Sequence, residues 1–311
     1  MKRITCVVVS YRVRQLLRRC LETLHAQHGI ETEIIVVDNA SSDGSADMVK
    51  SEFPEVKLIR ATENLGFARA TNLGLAQSRT DHVALVNPDT ELPPRALATA
   101  IEVYERHPAA GVVGLGLVNP DGSFQPACFA FPGLLNLLLE SIGLHRALAP
   151  LGFGSPSIAP IPQGGEGEVD WVSGACMIVS RTAYAKIGGL DETRFMYGEE
   201  MDWCWRAAGQ GFTTVFCDLQ RVVHHGGASG TDSRGPLFVR NVESRVHFLR
   251  RHRGEWRGRI AREILFLGSL LRWVYWAARG RIERSTGSMR VHTREQVDRF
   301  SAVVAWRIRG A

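Results

Sequence analysis

Lysine is scarce in this chain: only four of its 37 basic side chains are lysine and the rest are arginine, a bias we attribute to genome composition rather than function. Cysteine is sparse too. Cys6, Cys20, Cys128, Cys176, Cys204 and Cys217 lie far apart with no CxxC pair, which excludes a zinc ribbon and a disulfide scaffold and leaves buried thiols as the expectation. Near the start, the apolar run 4–9 is broken by Tyr11, Arg12 and Arg14, too soon for a signal peptide, so a cytoplasmic location is expected. The most apolar stretch, 260–278, contains Arg262, Glu263 and Arg272. At bilayer depth each of these would cost about 2.5–3.5 kcal/mol, so a spanning helix is not expected there. No internal repeat is visible, and 45% apolar with 22% charged residues excludes a disordered chain.

What is present is unevenly placed. Residues 1–239 carry 20 Lys/Arg against 26 Asp/Glu, whereas residues 240–311 carry 17 against 6, so the last quarter alone has a net charge of +11. Such a tail implies an anionic surface as partner. Trp273, Tyr275 and Trp276, with Arg250, Arg251, Arg253, Arg257 and Arg259 on one side and Arg279, Arg281 and Arg284 on the other, favour a membrane surface over nucleic acid. The competing reading is that this helix packs on the core or on a second subunit in a homodimer.

The first 120 residues alternate strand and helix patterns. ITCVVVS (4–10), EIIVVD (33–38), VKLIR (56–60) and HVALV (82–86) read as strands buried on both faces. Apolar residues from Val13 to Leu24 recur at helical spacing, FARATNLGLAQS (67–78) reads as a second helix, and Pro93-Pro94 start a third. This order predicts an α/β fold with a mostly parallel central sheet flanked by helices. Residues 120–167 are Pro- and Gly-rich with weak periodicity, which predicts a variable insertion. Beyond it we expect a strand pair or long strand over 169–181, a loop leading into a helix over 188–211, and strands over 212–218 and 221–227. A basic helix should follow over 236–253. The division expected is a catalytic domain over 1–235 and a basic, amphipathic helical extension over 236–311.

Ligands of open α/β sheets collect beyond the carboxyl ends of the strands. Ser10 with Tyr11, Asp38 with Asn39, Asn87-Pro88-Asp89 and His224-His225 occupy such places. Asp38 opens a turn of small polar residues, where a carboxylate accepts hydrogen bonds from a base or ribose or else only stabilises the turn. An EF-hand around Gly44 is excluded, because its twelfth position would be Lys50 rather than Glu. Asp89 is placed to bridge a divalent cation to a diphosphate, and either histidine would add an imidazole ligand. Glu199, Glu200 and Asp202 suit the first turn of a helix by charge alone, yet beside Trp203 and Trp205 one of them is a candidate general base.

Taken in order, VVVSYR (7–12), IIVVDNASSDGS (34–45), ENLGFARATNLG (63–74), ALVNPDTEL (84–92), the segment 172–206 containing GEEMDWCWR, and VVHHGGAS (222–229) resemble glycosyltransferase family 2. Within it they are similar to the rhamnosyltransferases that build bacterial cell-surface polysaccharide. The resemblance implies a GT-A nucleotide-diphosphosugar transferase fold. It implies nucleotide contacts from Ser10, Asp38, Asn64, Arg69 and Asn72, and a Mg²⁺ or Mn²⁺ ion on Asp89 and His224. Asp89 matches the last acid of the family's DxD motif, whose first acid is Asn87 here, a departure that points to weaker or even dispensable metal binding. By the same resemblance Glu200 is the catalytic base with Glu199 second, and Trp171, Gly174 and Asp202 line the sugar or acceptor pocket. Glu200 stands where the family commonly has Asp.

The function expected is an inverting transfer of a sugar, such as L-rhamnose from dTDP-rhamnose, from a dTDP or UDP donor to a lipid-linked or polysaccharide acceptor. The protein would work as a peripheral enzyme at the cytoplasmic face of the plasma membrane. The readings set beside it are a non-catalytic membrane or scaffold protein with the same fold, and a sugar nucleotidyltransferase. The latter lacks its expected Gly-rich, basic phosphate loop.

Overall fold

The computed structural model describes residues 2–143, 157–162, 165–193, 195–226, 234–285 and 290–308. The chain divides into two units, Met1–Ala130 with Ile158–Ser229, and Phe131–Ser157 with Gly230–Ala311. The second unit therefore takes residues from the middle of the chain as well as from its end, and no single cut near 235 separates the two.

In chain order the first unit begins β1 (Arg3–Ser10), α1 (Arg14–His25), β2 (Glu31–Asp38), α2 (Ser45–Glu52), β3 (Lys57–Arg60), α3 (Phe67–Gln77), β4 (His82–Val86) and β5 (Thr90–Glu91). It continues through α4 (Ala96–Arg106), β6 (Ala110–Val118), β7 (Phe124–Gln125) and β8 (Cys128–Phe129). After α5 (Leu134–Ser141), which belongs to the second unit, come β9 (Glu166–Val169), β10 (Trp171–Val172), β11 (Cys176–Ser180), α6 (Arg181–Ile187), α7 (Glu199–Gly209) and β12 (Thr213–His224). The second unit adds α8 (Arg234–Arg253), α9 (Glu255–Ser285) and α10 (Val291–Ile308).

The main sheet has the order β3-β2-β1-β4-β11-β6-β12-β5, with β7 on β6 and β9 on β12. It is parallel from β3 to β4 and between β6 and β12, while β11 runs antiparallel between β4 and β6. The fold is thus α/β with a mostly parallel central sheet. Seven of the eight residues of β1 are buried, as a strand covered on both faces requires. Leu17, Cys20, Leu21 and Leu24 form the buried stripe of α1 at helical spacing. That helix has no side-chain cap of its own; the carboxylate of Asp43 accepts from Arg14 N at 2.9 Å in its place. Helix α3 lies so close to β1 that a Cβ on Gly74 would stand 2.3 Å from Val7 Cγ1. All six cysteines are free and buried.

Three expectations change. The strands expected over 212–218 and 221–227 are one strand, β12, whose pairing with β6 slips between Cys217 and Arg221. The bulge rests on Gly116, where a Cβ would meet Asp218 Oδ1 at 2.4 Å, and Arg221 pairs with Asp218 at 2.6 Å. The stretch expected as a strand pair or long strand over 169–181 is interrupted at Ser173-Gly174-Ala175, with β10 and β11 in different sheets. The insertion contributes strands β7 and β8 and helix α5, while residues 144–156 and 163–164 lie outside the described residues.

In the second unit, close approach again falls on glycine. A Cβ on Gly268 of α9 would meet Ser141 Cβ at 2.5 Å, and one on Gly258 would meet Arg250 Cβ at 2.7 Å. Arg245 pairs with Glu140 at 2.9 Å and Arg307 with Glu263 at 2.9 Å, while Arg272 donates to the Glu140 carbonyl. Two of the charged groups that interrupt the apolar stretch, Glu263 and Arg272, are thus used in packing. Among the described residues no helix is long and apolar enough to cross a membrane.

Candidate active site

Strands β1, β2, β4 and β12 deliver their last residues to the carboxyl edge of the sheet. Ser10 and Asp38 are register partners in the β1–β2 ladder, and Asn39 N donates to Ser10 O at 2.8 Å. One carboxylate oxygen of Asp38 stabilises the turn by accepting from Ser41 N at 3.1 Å. The other, Oδ1, is buried without a hydrogen-bond partner, as is Ser10 Oγ. A buried polar atom left unpaired costs about 1–3 kcal/mol, so two such oxygens side by side mark a place for ligand donors.

At the end of β4, Asn87 N donates to Ala175 O at 2.9 Å, and Thr90 Oγ1 donates to Asn87 O at 2.8 Å. These bonds fix the turn that carries Asp89, which is buried. His224, at the end of β12, brings its Nε2 to 3.4 Å from Asp89 Oδ1 and 3.5 Å from Asn87 Nδ2. Its Nδ1 lies 2.8 Å from Gln125 Oε1. The neighbouring His225 turns elsewhere, to Glu91 at 2.8 Å. A buried carboxylate and an imidazole this close are donors of the kind that Mg²⁺ or Mn²⁺ takes. Among the described residues no group of three or more His, Cys, Asp or Glu side chains is arranged as a metal cluster.

Ala175 links this corner to the acids of α7. The preceding Gly174 lies against Glu200: a Cβ there would stand 3.7 Å from Glu200 Cβ and 3.9 Å from its carboxyl carbon. Tyr197 and Gly198, with φ of 75° and 89°, turn the chain sharply into the helix. Burial pushes the Glu200 carboxyl above the usual carboxylate range, against the opposing pull of the backbone N–H groups of Glu200 and Gly198. Glu199 is 6% exposed.

The other residues singled out from sequence have structural partners. Asn64 Oδ1 accepts from Asn39 Nδ2 at 2.9 Å and Gly66 N at 3.0 Å. Asn72 spends its amide on Leu190, donating to its carbonyl and accepting from its N–H, and on Glu192. In this structure Asn64 Oδ1 and the Asn72 amide hold loops together. Arg69, about half exposed, stands 3.8 Å from Glu192. Asp202 pairs with Arg206 at 2.7 Å, and that guanidinium also binds the carbonyls of Ile187 and Gly189, so Asp202 serves to anchor the 187–189 turn. Trp171 stacks on Phe129 and donates to Ala130 O at 3.1 Å. Sequence reasoning missed Gln125, which lies in the segment whose weak periodicity offered no signal.

Known proteins resemble this chain in sequence and in fold. Residues 5–127 match the family described as Glycosyl transferase family 2. The N-acetylglucosaminyl-diphospho-decaprenol L-rhamnosyltransferase of Mycobacterium tuberculosis is 30% identical over 267 residues, covering 81% of this chain and 85% of that protein. The low-salt glycan biosynthesis hexosyltransferase Agl10 of Haloferax volcanii is 24% identical over 71% of this chain and 67% of its own length. Among solved structures, the mannosyltransferase PcManGT of Pyrobaculum calidifontis, in complex with GDP-Man and Mn²⁺, superposes with a TM-score of 0.60 at 18% identity, over 98% of this chain and 86% of that one. That structural likeness speaks for the GT-A fold, and the rhamnosyltransferase likeness covers more than two thirds of both chains. Together with the ordered strand-end residues, it establishes that the chain belongs to glycosyl transferase family 2 and is a glycosyltransferase.

Proposed function

We propose that the enzyme transfers a hexose, L-rhamnose from dTDP-rhamnose, to a polyprenyl-diphospho-N-acetylglucosamine acceptor with inversion at the anomeric carbon. The observation that carries the reading is the short connection from the Asp89–His224 pair through Asn87 and Ala175 to Gly174 and Glu200. It sets a diphosphate-binding corner and a base of raised proton affinity on adjoining residues. The name of the mycobacterial relative supports the choice of donor sugar and acceptor.

In this reading the unpaired oxygens of Ser10 and Asp38 accept hydrogen bonds from the nucleoside. Asp89 and His224 would hold a Mg²⁺ or Mn²⁺ ion, which supplies charge neutralisation for the departing diphosphate when bound. Glu200 accepts the proton of the acceptor hydroxyl as that oxygen attacks the anomeric carbon from the face opposite the leaving group, and Glu199 is the second candidate. Desolvation of the Glu200 carboxyl raises its proton affinity, as a general base needs.

The second unit would bring the enzyme to a membrane surface at the cytoplasmic face. Ile260, Leu267, Leu271, Val274, Tyr275 and Ile282 are exposed along α9, and exposed Arg257, Arg259 and Arg281 lie among and beside them. An apolar stripe bordered by arginine suits an anionic lipid interface, and a second copy of the chain is the competing occupant. Incubating the protein with dTDP-rhamnose and the polyprenyl acceptor, with product mass and anomeric configuration as readouts, tests the assignment. Transfer from other donors with dTDP-rhamnose left untouched would overturn the donor, and retention of configuration would overturn the mechanism.

A further inference from the structure

Four side chains outside the catalytic set run in a line from the surface to His224. The exposed carboxylate of Asp121 accepts from Ser123 Oγ at 2.6 Å and from Ser123 N at 2.9 Å. These bonds hold the Asp121 carboxyl below the usual carboxylate range, so it is ionised and can only accept. Ser123 has one hydroxyl proton and gives it to Asp121, so its oxygen accepts from Asn119 Nδ2 at 2.9 Å. Asn119 then has its carbonyl oxygen facing Gln125, which donates from Nε2 at 3.2 Å. The only group of Gln125 left for His224 is Oε1, 2.8 Å from the ring Nδ1. A carbonyl oxygen cannot donate, so the proton of this contact belongs to His224 Nδ1. In a neutral imidazole the lone pair is then on Nε2, the atom 3.4 Å from Asp89 Oδ1.

We infer that Gln125, oriented through Asn119 and Ser123 by Asp121, is a positioning residue that fixes the Nδ1–H tautomer of His224 and aims its Nε2 lone pair at the cation site. The inference rests on Asp89 and His224 being the cation-binding pair. The hairpin between β6 and β7 keeps the line in register, with Asn119 N donating to Ser123 O and Gly122 N to Asn119 O, each at 2.8 Å. Outer partners of this kind orient an imidazole ligand and raise its basicity, and their loss costs about 10–100-fold in metal affinity.

The test uses the full chain, free of metal and labelled with ¹⁵N-histidine, with His224→Gln to assign the signal. Long-range ¹H–¹⁵N spectra read the tautomer, and electron paramagnetic resonance of free Mn²⁺ reads affinity. The wild type should show Nδ1–H. Gln125→Leu should lose that preference and bind Mn²⁺ about 10–100-fold more weakly, whereas Gln125→Glu, whose carboxylate also accepts from Nδ1–H, should keep both. Asp121→Asn, an exposed change that lets the line reverse, should shift the tautomer in the same direction and guards against misfolding of the leucine variant. A wild-type Nε2–H signal, or Gln125→Leu with unchanged tautomer and affinity, overturns the inference. If the wild type binds no Mn²⁺ while the tautomer still follows residue 125, the cation reading falls and the hydrogen-bond assignment stands.

Discussion

Ser10 and Asp38 are register partners at the ends of adjacent parallel strands, and each keeps one buried oxygen with no hydrogen-bond partner. The pairing converts two isolated deficits into one acceptor surface. Asp38→Ala should therefore weaken nucleotide binding by about 10–100-fold, the value of hydrogen bonds to a charged acceptor. Titration calorimetry with dTDP and UDP would measure it, and unchanged affinity would remove Asp38 from the nucleotide site.

Glu200→Gln should lower turnover by about 10²–10⁴-fold, the usual worth of a general base. Donor affinity should stay near normal. Because the folded-state pKa of Glu200 is raised, the unfolded chain ionises first, and stability is lost as pH rises from the unfolded value through the folded one. Removing the ionisable group should thus raise the melting temperature at neutral pH while it destroys activity. A full loss of activity in Glu199→Gln with near-normal Glu200→Gln would exchange their roles.

Chelation should depress transfer, and Mn²⁺ or Mg²⁺ should restore it. Asp89→Ala should stay inactive at any metal concentration, while Asn87→Asp, which supplies a second carboxylate, should lower the Mn²⁺ concentration needed for half activity. Full turnover in chelator would show that the diphosphate is neutralised by the protein alone.

The same substitution should act oppositely in two helices. Gly74→Ala places a Cβ 2.3 Å from Val7 Cγ1 and should cost about 1–3 kcal/mol. At Gly209 of α7 a Cβ meets nothing within 4 Å and φ is ordinary, so Gly209→Ala should stabilise by about 0.5–1 kcal/mol. Urea melts of both variants decide the matter.

If α9 lies on lipid, Leu271→Glu with Val274→Glu should abolish most co-sedimentation with anionic vesicles, and salt should weaken wild-type binding. Loss of a dimer in sedimentation velocity, with vesicle binding unaltered, would assign the stripe to a second copy instead.

Much of the first unit was readable from sequence because buried parallel strands are short uninterrupted apolar runs: β1, β2 and β4 appear within a residue or two of their expected limits. What was hidden depends on partners. Strand β6, though apolar, is rich in glycine, and those glycines make sense only against Phe212, Val172 and Asp218, residues that approach from far along the chain. The same holds at the site. Ser10, Asp38, Asp89 and His224 follow apolar runs and stand out, whereas the hydrogen bonds of Asn64 and Asn72 to Gly66 and Leu190 could be read only once those loops are in place. Gln125 is a two-residue-strand glutamine with no pattern around it, and only its contact with His224 gives it meaning.

The assignment of 131–157 to the same unit as 230–311 has a consequence for the order of synthesis. Helix α5 leaves the ribosome well before α8 and α9, whose Arg245 and Arg272 bind Glu140 and whose Gly268 receives Ser141. Until they emerge, Leu137, fully buried in the finished protein, has no cover from them. The nascent chain must therefore carry an unfinished apolar segment through the whole time that β11 and β12 are being added to the sheet. A ribosome stalled after residue 230 would display it, and that interval is when a chaperone should bind.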